Sequence, residues 1–328
     1  MVLIVGRNGV GKTNLLEAVH IGAQGFSPRT RSDAEVIQIG AEAGRIALRA
    51  TRAGAPLDLE VTLRLRAAKQ AKVNGARLRA AEQLRSEVGA LVFTPDRLAV
   101  VKGPPAVRRA YFDRALGRLA PARAVVPVEY AAAVGQRNAA LRRVSSGLSS
   151  LDALAPWTER VVRIGATLVA ARIETLEQLA LPFERHAEAL GLPQACLDYD
   201  GEPPTPAALE ARVQRDLERG TTGAGPHLDD VTILSDGRDL RRFGSQGEQR
   251  IAVLALLLAE AELLTERRAP PLLLLDDVLS ELDEARRETL ADRVRRVGQS
   301  LVTATAAAAL PGAPDQLVEV ENGVARTI

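Results

Sequence analysis

Apolar and polar residues alternate along this chain with two periods, one near two and one near three and a half, and a few continuous apolar runs interrupt both. Val2 to Val5 is such a run and ends in a glycine-rich loop, after which Thr13 to Ile21 sets Leu15, Leu16 and Val19 on one helical face. Strand, loop and helix are therefore predicted in that order. Arg45 to Arg52 and Leu57 to Arg66 alternate around Gly54-Ala55-Pro56, as a hairpin with one wet face does, and Asn74-Gly75 marks a second turn. Past Gly103-Pro104-Pro105 the texture turns helical, and Val107 to Arg219 reads as a helical lobe punctuated by Pro121, Pro127, Pro156 and Pro182. Glu248 to Leu264 predicts a strongly apolar helix, Leu272 to Leu275 a strand buried on both faces, and Glu284 to Val297 an amphipathic helix. Leu301 to Thr305 is another strand, and Leu317 to Val320 with Asn322-Gly323 predicts a closing hairpin. The expected division is an α/β lobe over residues 1–104, an inserted helical lobe over 105–220, and the second part of the α/β lobe over 221–328.

At 328 residues the chain exceeds the size at which single cores stop growing, so two lobes are expected. The longest apolar run, Ile251 to Ala259, has nine residues and cannot span a bilayer, and the first residues do not make a signal segment. A cytoplasmic protein with no membrane partner is the expectation. One cysteine, Cys196, excludes an internal disulfide framework and reads as a small buried apolar residue.

The net charge of +2 is unevenly spread: Pro105 to Arg172 holds eleven arginines and four acidic residues, a local +7 that leaves the rest at about −5. A basic half beside an acidic remainder suggests a face for a polyanion. Solvated helix faces in an arginine-rich chain give the same count, since only four of the 43 basic residues are lysine.

Three separated motifs carry candidate chemistry. Gly6-Arg7-Asn8-Gly9-Val10-Gly11-Lys12-Thr13 has the spacing of a phosphate loop, in which glycines let backbone N–H groups turn toward phosphates at a helix N-terminus. Lys12 supplies a charge to the β and γ phosphates, Thr13 a hydroxyl for Mg²⁺, and Asn14 closes the candidate ATP-binding stretch. Leu272 to Leu275 ends in Asp276 and Asp277, the first a candidate Mg²⁺ ligand through water and the second a candidate general base. Ser245-Gln246-Gly247-Glu248-Gln249 has the form of a helix-capping box, and the same exposed donors could meet the γ phosphate of an ATP held by another subunit.

Further blocks make the chain resemble the RecF family of bacterial recombination mediators: Gly-Lys-Thr-Asn-Leu-Leu-Glu-Ala at 11–18, Phe-Thr-Pro-Asp at 93–96, Lys-Gly-Pro-Pro-Ala-Val-Arg-Arg at 102–109, Gln-Arg-Asn at 136–138, Gly-Pro-His-Leu-Asp-Asp at 225–230, Phe-Gly-Ser-Gln-Gly-Glu-Gln-Arg at 243–250 and Leu-Asp-Asp-Val-Leu-Ser-Glu-Leu-Asp at 275–283. The resemblance spans the chain in order. It implies an α/β fold, a P-loop ABC-type ATPase head with a mixed sheet and flanking helices, plus an inserted helical lobe, without a coiled coil. Two subunits would sandwich two ATP molecules, with Ser245 and Gly247 of one closing over Lys12 and Thr13 of the other. Ser280 to Asp283 would cross that dimer interface, and Thr303 would stand where many ABC proteins carry a histidine that senses the γ phosphate.

As the resemblance implies, the ATP-bound homodimer would clamp double-stranded or gapped DNA, work with RecO and RecR to load recombinase, and reset by weak ATP hydrolysis. Arg108, Arg109, Arg137, Arg142 and Arg143 are the candidate DNA contacts. Two departures stand out. The family begins with roughly thirty more residues, so an exposed sheet edge is expected beside Val2 to Val5. Asp277 also stands where most ABC ATPases have a longer glutamate, which predicts slow turnover. The nucleotide-binding subunit of a transporter would share the three motifs and is the alternative reading; a P-loop kinase would leave Ser245 to Gln249 without a role, and a remnant unable to bind ATP is a further possibility.

Overall fold

A computed structural model of the chain describes residues 1–52 and 54–328. It divides into two compact units, one of residues 1–97 with 264–328 and one of residues 98–263. The first unit opens with β1 (Val2–Val5), α1 (Lys12–Gln24), β2 (Ala43–Arg52), β3 (Ala55–Arg64), β4 (Ala67–Val73), β5 (Ala76–Arg77) and β6 (Ala90–Phe93). The second contains α2 (Ala99–Lys102), α3 (Pro105–Leu119), α4 (Val126–Ser145), α5 (Ala155–Ala189), β7 (Cys196–Asp200), α6 (Pro206–Glu210), α7 (Val213–Arg219), β8 (Asp230–Ser235), β9 (Arg238–Asp239) and α8 (Leu240–Phe243). It also holds all but the last turn of α9 (Gln246–Arg267). The chain ends in the first unit with β10 (Leu272–Leu275), α10 (Glu284–Val297), β11 (Ser300–Ala304), β12 (Gln316–Glu321) and β13 (Val324–Thr327).

The six-stranded sheet of the first unit runs β13-β12-β1-β11-β10-β6, parallel except for the β12–β13 hairpin. Its strands β1, β6 and β10 are continuous apolar runs because both of their faces are covered, and Ile4, Leu16, Val92, Leu274 and Val320 form one buried cluster. The edge expected beside Val2 to Val5 is not there: β1 pairs with β11 on one side and with β12, delivered by the closing hairpin, on the other. A separate antiparallel sheet runs β2-β3-β4-β5, with Leu57, Leu59, Val61 and Leu63 of β3 facing a core that includes Ile21 and Leu84. Ala55 and Pro56 were expected in the turn, but they lie in β3 opposite Arg52 and Thr51. Proline is tolerated at the start of a strand because few ladder donors are needed there.

In the second unit, Pro127 and Pro156 stand in the first turns of α4 and α5, where the missing N–H costs nothing. Pro182 does not break the chain; it lies inside the 35-residue α5, among buried Leu179, Phe183 and His186 whose packing offsets the lost backbone bond. The helical reading of 107–219 also missed β7, which joins β8 and β9 in a three-stranded sheet. Strand alternation turns Cys196 outward, so it is exposed rather than buried, and partial burial with Asp198 and Glu184 nearby holds its thiol above the usual range. Residues 221–263, expected with the α/β lobe, cluster with the helical stretch because β8 pairs with β7 and Arg118 forms an ion pair with Glu260 of α9.

Much of the positive charge of this unit is spent internally. Arg108 is 3% exposed and forks onto Asp230 at 2.7 and 2.6 Å while donating to Val101 O and Gly103 O. Burial alone would raise the Asp230 carboxyl, but Arg108 and the Val231 N–H hold it below its ordinary value. Arg137 is 1% exposed, 2.8 Å from Asp216 and 3.0 Å from Thr222. Arg172 forks onto Asp113 at 2.8 and 2.9 Å. Arg108 and Arg137 are therefore not surface DNA contacts: a buried guanidinium must be paired, and each has its carboxylate. Among the described residues no helix is long and apolar enough to cross a membrane.

Arg137→Ala leaves Asp216 charged and buried and is expected to cost about 3–5 kcal/mol in urea denaturation, whereas exposed Arg143→Ala is expected to stay within about 0.5 kcal/mol. A second expectation concerns His227, whose Nε2 donates to Thr222 O at 2.8 Å and whose Nδ1 accepts from Tyr130 Oη at 2.9 Å. Burial holds it below the ordinary 6.5, so the unfolded chain protonates first. Its contribution to stability is full above pH 6.5 and falls as the pH drops below that value, and His227→Gln should flatten the dependence in denaturation curves taken between pH 7.5 and 5.5.

Candidate functional site

The loop between β1 and α1 depends on glycine at three positions. Gly6, Gly9 and Gly11 have φ of +155°, +83° and +107°, which side-chain-bearing residues rarely adopt. At Gly6 a Cβ would lie 2.5 Å from Val320 O of β12, so that position is also closed by contact. Gly11 caps α1 with no side-chain bond, and the first helical turn carries no acidic residue, which leaves its N–H groups and the positive end of the helix dipole facing the loop. Lys12, 9% exposed, curls back so that Nζ donates to Gly6 O at 2.6 Å and to Arg7 O at 3.0 Å. Arg7, Asn8, Gly9 and Asn14 are exposed around it, and Val10 is half-buried.

Three parallel strands bring the acidic pair to this loop. Thr13 Oγ1 lies 2.9 and 3.1 Å from the two carboxylate oxygens of Asp276, and buried Thr303 Oγ1 donates to Asp276 Oδ1 at 2.8 Å. The same Thr303 oxygen accepts the backbone N–H of Asp277 at 2.8 Å. Asp277 adopts φ +49°, a left-handed conformation that aspartate tolerates, and so turns off the end of β10. A glycine cradle, a lysine, a hydroxyl and a buried carboxylate converge here. The last two are hard oxygen donors, so the residues present fit a nucleotide triphosphate with Mg²⁺. Just beyond, Ser280 Oγ donates to Asp277 O at 3.3 Å and Asp283 caps α10 by accepting from Arg286 N at 2.9 Å, both side chains being exposed.

In the second unit, Ser245 and Glu248 form the reciprocal cap foreseen from their spacing: Ser245 N donates to Glu248 Oε2 at 2.7 Å and Glu248 N to Ser245 Oγ at 3.2 Å. Ser245 and Gln246 are exposed, and a Cβ at Gly247 would meet nothing nearer than Ser245 Oγ at 3.9 Å, so the start of α9 is open on that side. Gln249 is 3% exposed and its amide donates to Leu240 O and Gly244 O, which fixes the segment entering the helix. Of the candidate DNA contacts, Arg109 is half-buried and donates to Asp229 O, Arg142 donates to Gly220 O at 3.2 Å from an exposed position, and Arg143 is exposed.

One support went unread in the sequence. The β12–β13 turn braces the phosphate loop, with Gly323 N donating to Val10 O at 3.2 Å beside the Val320 contact. The Asn322-Gly323 turn was legible, but nothing local says what a turn rests on.

Comparison with known proteins adds to this geometry. A family described as "RecF/RecN/SMC N terminal domain" matches residues 1–327. The DNA replication and repair protein RecF of Heliobacterium modesticaldum is 37% identical over 88% of this chain and 81% of its own length. The protein of the same name from a Synechococcus species is 36% identical over 98% and 90%. A solved structure described as the recombination mediator protein RecF with ATP in the RecFOR pathway superposes with a TM-score of 0.86 at 26% identity, covering all of this chain and 91% of that one. An Smc head bound to the C-terminal winged-helix domain of ScpA, 16% identical with a TM-score of 0.58, shares the fold.

Thr303→Val keeps the shape but leaves the Asp277 N–H without its acceptor and Asp276 with Thr13 as its remaining hydroxyl donor, and should lower stability by about 1–3 kcal/mol in thermal unfolding, while Thr303→Ser should restore most of it.

Proposed function

Because the chain belongs to the RecF family, within the wider RecF/RecN/SMC group, we propose that it acts in DNA replication and repair as an ATP-gated DNA clamp that hydrolyses ATP slowly. The single observation that carries this reading is the chain of contacts Thr13–Asp276–Thr303–Asp277 behind a glycine loop, an arrangement made for a phosphate-bound divalent ion and one adjacent base. Bound Mg²⁺ would neutralise charge on the β and γ phosphates. Lys12 would exchange the Gly6 and Arg7 carbonyls for phosphate oxygens, Thr13 and Asp276 would hold the ion, and the first turn of α1 would donate backbone N–H groups.

Asp277 accepts the proton of the attacking water in this reading, and Thr303 fixes its backbone. Its side chain is one methylene shorter than glutamate, so turnover is slow and serves as a timer rather than a motor. Ser245, Gln246 and Gly247 at the open start of α9 meet the γ phosphate of a second copy, with Glu248 and Gln249 holding that end in shape and the segment from Ser280 to Asp283 crossing between copies. ATP thereby couples dimer formation to capture of duplex or gapped DNA, and RecO and RecR are the partners with which recombinase is loaded. A transporter subunit is less well supported, since the 98–263 unit is built on internally paired arginines rather than on an apolar coupling surface.

Fluorescence anisotropy of a labelled gapped duplex, with and without ATP and Mg²⁺, tests this. ATP-dependent binding that is lost in Ser245→Arg, while that variant still binds a fluorescent ATP analogue, supports the clamp; nucleotide-independent binding or none refutes it. Lys12→Ala is expected to lose ATP binding. Asp277→Asn should bind ATP normally but release phosphate at least ~10-fold more slowly, and unchanged release would remove Asp277 from its assigned role.

A further inference from the structure

Some arginines of the second unit are paired with carboxylates and others are not. Arg108, Arg118, Arg123, Arg137 and Arg172 each have a carboxylate partner. Arg142, Arg143, Arg160, Arg212, Arg215 and Arg219 have none: among the described residues, no carboxylate oxygen lies within 4.0 Å of any of them. Five of these six are exposed and Arg212 is half-buried.

Arg109, Arg163 and Arg241 likewise have no carboxylate within that distance among the described residues, but the six named above gather around one small core. The end of α4, the start of α5 and α7 share a small core in which Leu141, Leu154, Val144, Trp157, Val213 and Leu217 pack together. The six arginines flank those residues in sequence: 142 and 143 beside Leu141 and Val144, 160 one turn beyond Trp157, and 212, 215 and 219 around Val213 and Leu217. The Gly220-to-Gly225 loop closes the group. Arg142 Nη1 donates to Gly220 O, and Arg212 lies so close to Gly223 that a Cβ there would sit 2.9 Å from its Nη2. The Arg212 Nε is buried and has no hydrogen-bond partner. Against the six stand Asp152, Glu159 and Glu218 on the same segments, while Asp216 is taken by Arg137, which leaves a net +3.

We infer that this end of the helical unit is the surface on which duplex DNA lies, held through its phosphates. The inference rests on the DNA-clamp reading and gives that clamp a place. Unpaired guanidinium groups on one small platform suit a row of phosphate oxygens, each forked by planar donors. Trp157, the lone aromatic of these segments, lies half-buried against the small core, so the patch offers guanidinium groups rather than a row of rings for unstacked bases, which favours duplex over single strand. Thr221, exposed on the loop, adds a hydroxyl of the kind that positions without reading sequence.

The test measures anisotropy of labelled duplex with ATP and Mg²⁺ from 50 to 200 mM salt, comparing wild type with the quadruple variant Arg142→Ser, Arg143→Ser, Arg215→Ser, Arg219→Ser. Affinity at 100 mM should fall at least ~10-fold, and the slope of log affinity against log salt should become shallower by about 3 to 4. Arg123→Ser, which breaks only an exposed pair with Glu174, should alter neither. Binding of a fluorescent ATP analogue and the urea midpoint report whether the quadruple variant is folded. Should it not be, the double variant Arg143→Glu, Arg219→Glu gives the same reading, with a slope shallower by about 2 or more. A folded variant with wild-type affinity and slope overturns the inference and leaves ATP-gated DNA binding standing; wild-type protein that does not bind duplex at all overturns both.

Discussion

The carboxylate of Asp276 is the constraint around which the first unit is organised. It is 6% exposed at the end of an all-leucine strand, and a charge in such a place is tolerated only if its oxygens are hydrogen-bonded. Thr303 and Thr13 supply those bonds, and each comes from a different strand connection: Thr303 from β11, next to β10, and Thr13 from the helix that follows β1, next to β11. The order β1-β11-β10 is thus what brings residues 263 positions apart within 3 Å. Because the three strands are parallel, all of them end on the same side, which is where open α/β sheets carry their ligands.

Phosphate-loop geometry follows from the same arrangement. The loop must turn between β1 and α1 through left-handed glycines, and it leans on the closing hairpin at Gly6 and Val10. Residues from both ends of the chain therefore shape one site. Thr303, between the two aspartates, links the group that would hold an ion to the group that would receive a proton, so a shift of β11 would be felt by both.

The second unit solves a different electrostatic problem. It is arginine-rich, and burying Arg108, Arg137 and Arg172 was possible only with Asp230, Asp216 and Asp113 beside them. Two of these carboxylates lie far along the chain, in the block from Gly-Pro-His to Asp230 and in α7. Pairing of Arg108 with Asp230, with β7–β8 pairing and the Arg118–Glu260 ion pair, draws residues 221–263 into this unit and leaves arginines facing water at the end of α4, the start of α5 and α7.

The amino-acid sequence by itself determined the local elements and much of the chemistry. The strand Val2–Val5, the helix Glu284–Val297 and the Asn322-Gly323 turn all appear where the periodicity and the turn residues put them, because helix and strand periods and left-handed turns are set by neighbours a few residues apart. The capping box at Ser245 and Glu248 was legible for the same reason. What only the tertiary structure decided is partnership over long distance. It made Pro182 a helix-interior residue, turned Cys196 outward on an unforeseen strand, closed β12 over the expected edge of β1, and separated arginines that pair inside from those that face solvent. Net charge counts residues without regard to their partners, and whether a charge is spent on a buried carboxylate or left for a ligand is fixed only when distant segments meet.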